Sequence, residues 1–183
     1  MSDPKLRLFF ALWPDAATRG AIADLSLAIA QETRGRAPAP EKVHLTLAFL
    51  GSQPASLLPT LQSRASSIEV PGFKLLLDQL GCWRQSGIAW LGASEVPPEL
   101  ITLYDRIASA CASLGLPKED RPFAPHLTLA RRVTTPARRR LAQPIAWPVS
   151  SFALVASETH ANGAIYRTLA SWMLAPRCAT EVR

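Results

Sequence analysis

Two tetrapeptides of identical sequence, His44-Leu45-Thr46-Leu47 and His126-Leu127-Thr128-Leu129, hold two of the three histidines in the chain. An imidazole titrates near neutral pH, so a neutral one and a protonated one facing a common cleft form a base and acid pair. A threonine hydroxyl beside each can donate to a non-bridging phosphate oxygen, and an arginine can add charge and a bidentate fork. The reaction that uses such a set is displacement at phosphorus. One histidine takes a proton from water and the other protonates the departing oxygen.

Other chemistries fit poorly. The chain has no HExxH, no GxSxG elbow and no GxxxxGK[ST] phosphate loop. A metal held by the two histidines is the remaining alternative; it would need further Asp, Glu or His ligands, and none is obvious from the spacing. A single His-x-Thr would carry little weight. A leucine-alternating tetrapeptide with a β-branched threonine is simply a good strand sequence, used twice if the fold is duplicated. Retention of His and Thr as well as the leucines favours chemistry.

The elements that must position these residues can be read from periodicity. In a strand, His and Thr two residues apart share a face at a separation of about 6.6 Å, while the leucines face the core. Residues 5–13 form an apolar strand, and Pro14-Asp15 opens a helix over 15–34 that buries Ile22, Leu25 and Ile29 and stops at Gly35. A Pro-rich loop leads into the first HLTL strand. A second helix is expected over 54–67. The stretches FKLLLDQLGCW and GIAWLGA are two strands joined by a turn at 84–87, and a helix from Pro97-Pro98 to Gly115 precedes another Pro-containing loop and the second HLTL strand. Strand, helix, Gly stop, Pro loop and HLTL thus occur in both halves, an internal duplication that would bring both His-x-Thr rows to a shared groove. Arg138-Arg139-Arg140 reads as a solvated face, with a direct RNA contact as its alternative, and strands over 149–158 and 164–174 follow with Asn162-Gly163 as the hairpin turn. His160 beside that turn is the third histidine.

Composition sets the frame. The 183 residues are 48% hydrophobic and 19% charged, enough for one compact two-lobed domain spanning 1–183. A net charge of +6 and a pI near 9.8 favour a polyanionic partner. Cys82, Cys111 and Cys178 are odd in number, widely spaced and without CxxC, which points to a reducing cytoplasm rather than a disulfide framework or zinc site. The apolar run Leu8 to Trp13 is too short for a signal or membrane segment.

At RLFFALWP, KVHLTLAFLG, PFAPHLTLAR and GAIYRTLASWML, the sequence resembles the 2H phosphoesterases, and among them the RNA 2′,3′-cyclic phosphodiesterases, also called 2′-5′ RNA ligases. The resemblance implies a bilobal, duplicated α+β fold with two mainly antiparallel sheets around a central groove and helices outside. It implies opening of an RNA or nucleotide 2′,3′-cyclic phosphate to a 2′-phosphate by a monomer needing neither metal nor cofactor, with ATP-independent ligation as the formal reverse. In that scheme His44 is the proton donor, His126 the proton acceptor, and Thr46, Thr128 and Arg131 hold the phosphate. Strict alternation would turn Arg131 away from His126, so this role requires the strand to end or bulge near Ala130. Phe10 is the candidate base-stacking side chain, with a core position as its alternative. The alternative function is a noncatalytic RNA- or nucleotide-binding module, which would need the basic surface but not both His-x-Thr pairs.

Overall fold

The computed structural model describes residues 3–116, 121–160 and 163–176. Strand β1 (Lys5–Leu12) runs into helix α1 (Ala16–Glu32), and β2 (Leu45–Pro54) into α2 (Leu58–Ser66). Then follow β3 (Phe73–Trp83), β4 (Ile88–Gly92), α3 (Pro98–Ala112), β5 (Leu127–Arg131), β6 (Arg139–Val149), β7 (Ser151–His160) and β8 (Gly163–Met173). Asp15 caps α1 by accepting from the Thr18 amide and hydroxyl at 2.9 and 2.7 Å, satisfying a donor that the first helical turn leaves free.

Strand order is β6-β3-β4-β5-β2-β1-β7-β8, with every neighbouring pair antiparallel. The centre of this order is narrow, because β2 and β5 meet at one pair only, Leu45 opposite Leu127. The eight strands thus form one antiparallel sheet made of two four-stranded halves joined edge to edge. Read outward from the joint, β2-β1-β7-β8 matches β5-β4-β3-β6, and β1-α1-β2 repeats as β4-α3-β5. The helices cross over: α1 packs on β5 and β6, whereas α3 packs on β2. The buried Ser26 hydroxyl of α1 donates to the Leu129 carbonyl of β5. Leu45, Leu47, Leu127 and Leu129 lie in one core with Ile22 and Ile29 of α1 and Leu100, Leu103 and Ile107 of α3.

Three sequence readings need adjustment. Gly35 does not supply the left-handed residue after α1; Arg34 does, at φ 54°. Gly35 is required for space, since a β-carbon there would lie 2.9 Å from the Arg131 carbonyl oxygen. The stretch after Arg138 is an eleven-residue strand, β6. Its prolines, Pro144 and Pro148, are tolerated because β6 is an edge strand and need not donate on its open side. Nor are the arginines there merely solvated: Arg139 holds Glu32 of α1 through two bonds of 2.6 and 2.7 Å, and Arg140 donates to Asp78 at 2.8 Å. Asp78, 3% exposed, also accepts from the Ser94 amide and hydroxyl, both at 2.7 Å. Burial alone would raise its carboxyl, but the bonds from Ser94 and Arg140 outweigh that and hold it below the usual range. Asn162 and Cys178 lie outside the described residues, while β7 and β8 pair as far as His160 opposite Gly163. Among the described residues, no helix is long and apolar enough to cross a membrane.

Candidate active site

Each motif histidine sits one residue ahead of its strand, at the joint between the halves. Leu45 faces Leu127 in antiparallel register. Continued one step either way, that register would set His44 across from Thr128 and Thr46 across from His126, so the histidine of each copy approaches the threonine of the other. The ladder stops at the leucines and leaves the polar row open. His44, Thr46, His126, Thr128 and Arg131 all line one groove of about 720 Å³.

The same irregularity follows the threonine in both copies. On β2, Thr46 pairs with Ala11 and Ala48 with Phe10, so that Leu47 is the extra residue. On β5, Thr128 pairs with Trp90 and Ala130 with Ala89, and the extra residue is Leu129. A one-residue bulge reverses the parity of the residues after it, which lets Arg131 line the groove although it is an odd number of residues from His126. In the first copy the corresponding residue is Phe49, an aromatic ring 46% exposed with the Arg7 guanidinium 4.6 Å above it. The Arg131 backbone is fixed by a two-way bridge to Arg36, with amide-to-carbonyl distances of 2.8 and 2.9 Å.

The imidazoles are held alike. His44 Nδ1 lies 2.7 Å from the Lys42 carbonyl and His126 Nδ1 lies 2.7 Å from the Ala124 carbonyl, in each case two residues back. A carbonyl only accepts, so both Nδ1 atoms carry hydrogen and Nε2 is left to exchange protons. Burial lowers the His44 pKa below the usual histidine value, and the charges of Arg131 and His126 act in the same sense, against the bond to Lys42. Burial likewise lowers His126, helped by Arg131 and opposed by the bond to Ala124. Each imidazole also rests on aromatic rings. Phe9, Trp13 and Tyr166 surround His44 at centroid distances of 5.1, 5.2 and 5.1 Å, and Trp83 meets His126 edge-on at 4.5 Å.

Phe10 is corrected. It is 2% exposed and packs in the core against Phe152 and Trp172, so no base can stack on it. Its neighbour Phe9, itself only 3% exposed, lines the groove instead, packed against the His44 ring. Arg7 held the missed signal: as an exposed charge on β1 it marks the odd-numbered residues, and hence Phe9, as the groove side. Sequence reasoning also missed Tyr166, Arg36, Lys42 and Arg132, all of which line the groove. Nothing in their local pattern sets them apart from surface residues. Among the described residues the groove lining includes no Asp or Glu, and no three His, Cys, Asp or Glu side chains converge as a metal cluster.

The sequence is 36% identical over 178 residues to the RNA 2′,3′-cyclic phosphodiesterase of Escherichia coli strain K12, covering 95% of this chain and 99% of that protein. It is 34% identical to the RNA 2′,3′-cyclic phosphodiesterase of Thermus thermophilus, covering 92% and 90%. The fold superposes on the crystal structure of Escherichia coli LigT complexed with 3′-AMP with a TM-score of 0.85 at 34% identity, over 93% of this chain and 98% of that one. The sequence model of the 2′-5′ RNA ligase superfamily matches residues 13–161, and the chain belongs to that superfamily.

Proposed function

We propose that the protein hydrolyses RNA 2′,3′-cyclic phosphates to 2′-phosphates, working as one bilobal catalytic unit without a metal. The observation that carries this reading is the pair of imidazoles in one groove, each with Nδ1–H tied to a carbonyl two residues back. A fixed tautomer serves proton transfer at Nε2, whereas a module that only binds RNA has no use for it. The relatives' names support the same activity.

In the proposed reaction His126 Nε2 accepts a proton from water as the water oxygen attacks phosphorus. The P–O3′ bond breaks, and His44 Nε2–H delivers its proton to the leaving 3′ oxygen, so a 2′-phosphate and a free 3′-hydroxyl result. Thr46, Thr128 and Arg131 donate to the non-bridging oxygens as negative charge builds on them. The other groove cations, Arg7, Arg36, Lys42 and Arg132, favour a polyanionic RNA end over an uncharged ligand.

Product analysis tests this. Nucleoside and oligonucleotide 2′,3′-cyclic phosphates should open to 2′-phosphates at an unchanged rate in excess EDTA. Loss on chelation, restored by one divalent ion, would overturn the metal-free mechanism.

A pH series tests the electrostatics. Burial and Arg131 disfavour the charged form of both imidazoles, so half-protonation of each moves to lower pH. The productive enzyme carries one proton on the pair, and kcat/KM should therefore form a bell centred below pH 6.5, the ordinary histidine value. Replacing Arg131 by Gln removes a positive charge acting on both rings and should shift both limbs to higher pH while lowering the maximum; Arg131→Lys should hold them in place. An unmoved bell in the Gln variant would remove Arg131 from the electrostatics of the pair.

A further inference from the structure

The two copies of the site are alike where the reaction needs them to differ. Each has the same tetrapeptide, the same one-residue bulge and the same 2.7 Å tether from Nδ1 to the carbonyl two residues back. Acid and base catalysis needs one imidazole protonated and the other neutral in the same molecule. Charge does not choose between them. Arg131 acts on both rings and His126 on His44, in each case against a further proton. Arg7 of β1, Lys42 of the turn before β2, Arg36 and Arg132 line the same groove; β8 brings the Tyr166 hydroxyl, and β7 adds no titratable group to the wall. Among the described residues that wall carries no carboxylate that would draw the proton to either ring.

The aromatic side chains do choose. The centroids of Phe9, Trp13 and Tyr166 lie 5.1, 5.2 and 5.1 Å from that of His44, whereas among the described residues a single ring, Trp83, contacts His126. Phe9 and Tyr166 meet edge to face at 5.3 Å, and the three rings pack on Ala11, Ala153 and Val155 as a small cluster apart from the leucine core. The duplication shows that this box belongs to the first copy alone. Phe9 opposite Phe49 corresponds to Ile88 opposite Arg131, and Leu12 opposite Leu45 corresponds to Leu91 opposite Leu127. Trp13, one residue further on, therefore corresponds to Gly92. Neither Ile88 nor Gly92 offers a π face. Such a face attracts a cation within about 6 Å, most strongly where water is excluded, so an imidazolium gains far more from the box than a neutral imidazole does.

We propose that Phe9, Trp13 and Tyr166 are positioning residues that hold the single proton of the histidine pair on His44 and so make the first copy the acid; the proposal rests on the hydrolytic reading above. Burial disfavours the charged form of both rings, and three π faces offset it on His44 more than one indole does on His126. Two identical tetrapeptides thereby serve opposite steps, through side chains outside either motif. The sign of the effect separates this role from packing. Replacing Trp13 by Leu admits water to His44, and relief of burial alone would raise its pKa, whereas loss of a π face lowers it.

The test follows the imidazole C–H signals of the whole purified chain by NMR against pH, with His44→Gln and His126→Gln to assign them. In the wild type His44 should titrate at higher pH than His126. Trp13→Leu and Tyr166→Leu should each lower the His44 midpoint by about 0.5 to 1 pH unit, the scale of one cation–π contact, without lowering that of His126. Trp13→Phe, which restores a ring face, should recover part of the fall. With adenosine 2′,3′-cyclic phosphate, kcat/KM on the alkaline limb should drop about three- to tenfold in both Leu variants, in step with the protonated fraction of His44, while the acidic limb stays in place. Melting curves establish that the variants are folded, and Tyr166→Leu carries the test if Trp13→Leu does not fold. A His44 midpoint that rises or stays put in the folded Leu variants overturns the proposal, as does an equal fall in Trp13→Phe and Trp13→Leu, or a wild type in which His126 titrates above His44. These titrations need no substrate, so such results leave the hydrolytic reading standing. A wild-type chain that opens no cyclic phosphate would instead overturn that reading, and the acid role with it.

Discussion

His44→Ala and His126→Ala should each lower kcat/KM for a 2′,3′-cyclic phosphate by about 10²- to 10⁴-fold, the usual contribution of a positioned general acid or base. The two losses should differ in kind. His126→Ala removes the group that must be neutral, so its residual activity should lose the acidic limb of the pH profile; His44→Ala should lose the alkaline limb. Leaving-group chemistry separates them further. A substrate whose departing oxygen is stable without a proton makes the acid step dispensable and should rescue His44→Ala selectively. Rescue of His126→Ala instead would exchange the two roles and leave the pair standing. If neither substitution costs about 10²-fold, the tetrapeptides serve only the sheet and the proposed mechanism fails. Thermal melts are the control, since both rings also pack on aromatic neighbours.

Thr46→Val and Thr128→Val should cost on the order of 10²-fold each, the scale of one hydrogen bond to developing transition-state charge, and less than either histidine. Valine keeps the shape and β-branching that the strands favour, so the loss should appear in kcat with little change in melting temperature. The register at the joint refines this expectation. The Leu45–Leu127 pair, continued one step either way, would set Thr128 beside His44 and Thr46 beside His126, so removing a threonine should weaken phosphate binding on the side of the other copy's histidine. Wild-type activity in both variants would take the hydroxyls out of the site.

Much of this site was legible in the residues themselves. The two HLTL copies and their placement after matching strand-helix-loop units come from residue spacing, whereas Arg131, and with it the need for a bulge near Ala130, comes with the family resemblance. The illegible part depends on parity and on distance along the chain. Phe9 and Phe10 are identical neighbours in an apolar strand, and only the exposed Arg7 tells which one faces the groove. The strand β6 hides behind Pro144 and Pro148, whose usual meaning is a loop, because edge position is not written in local sequence. The roles of Arg139 and Arg140 depend on Glu32 and Asp78, far away in the chain. Tethering of each Nδ1 to the carbonyl two residues back was equally invisible, although it is local in sequence, because it depends on the turn preceding each strand.

The exchange of helices between halves bears on how such a molecule folds and on what its ancestor must have been. Neither β1-α1-β2 nor β4-α3-β5 covers its own leucine face: α1 lies on β5 and α3 on β2. A single ancestral unit would expose its apolar strand face to water, and two copies of it would associate by swapping helices. Fusion into one chain would turn that intermolecular exchange into an intramolecular one at high effective concentration. It would also make collapse of the leucine core and assembly of the two-histidine groove a single cooperative event, with contacts such as Ser26 to Leu129 closing long loops.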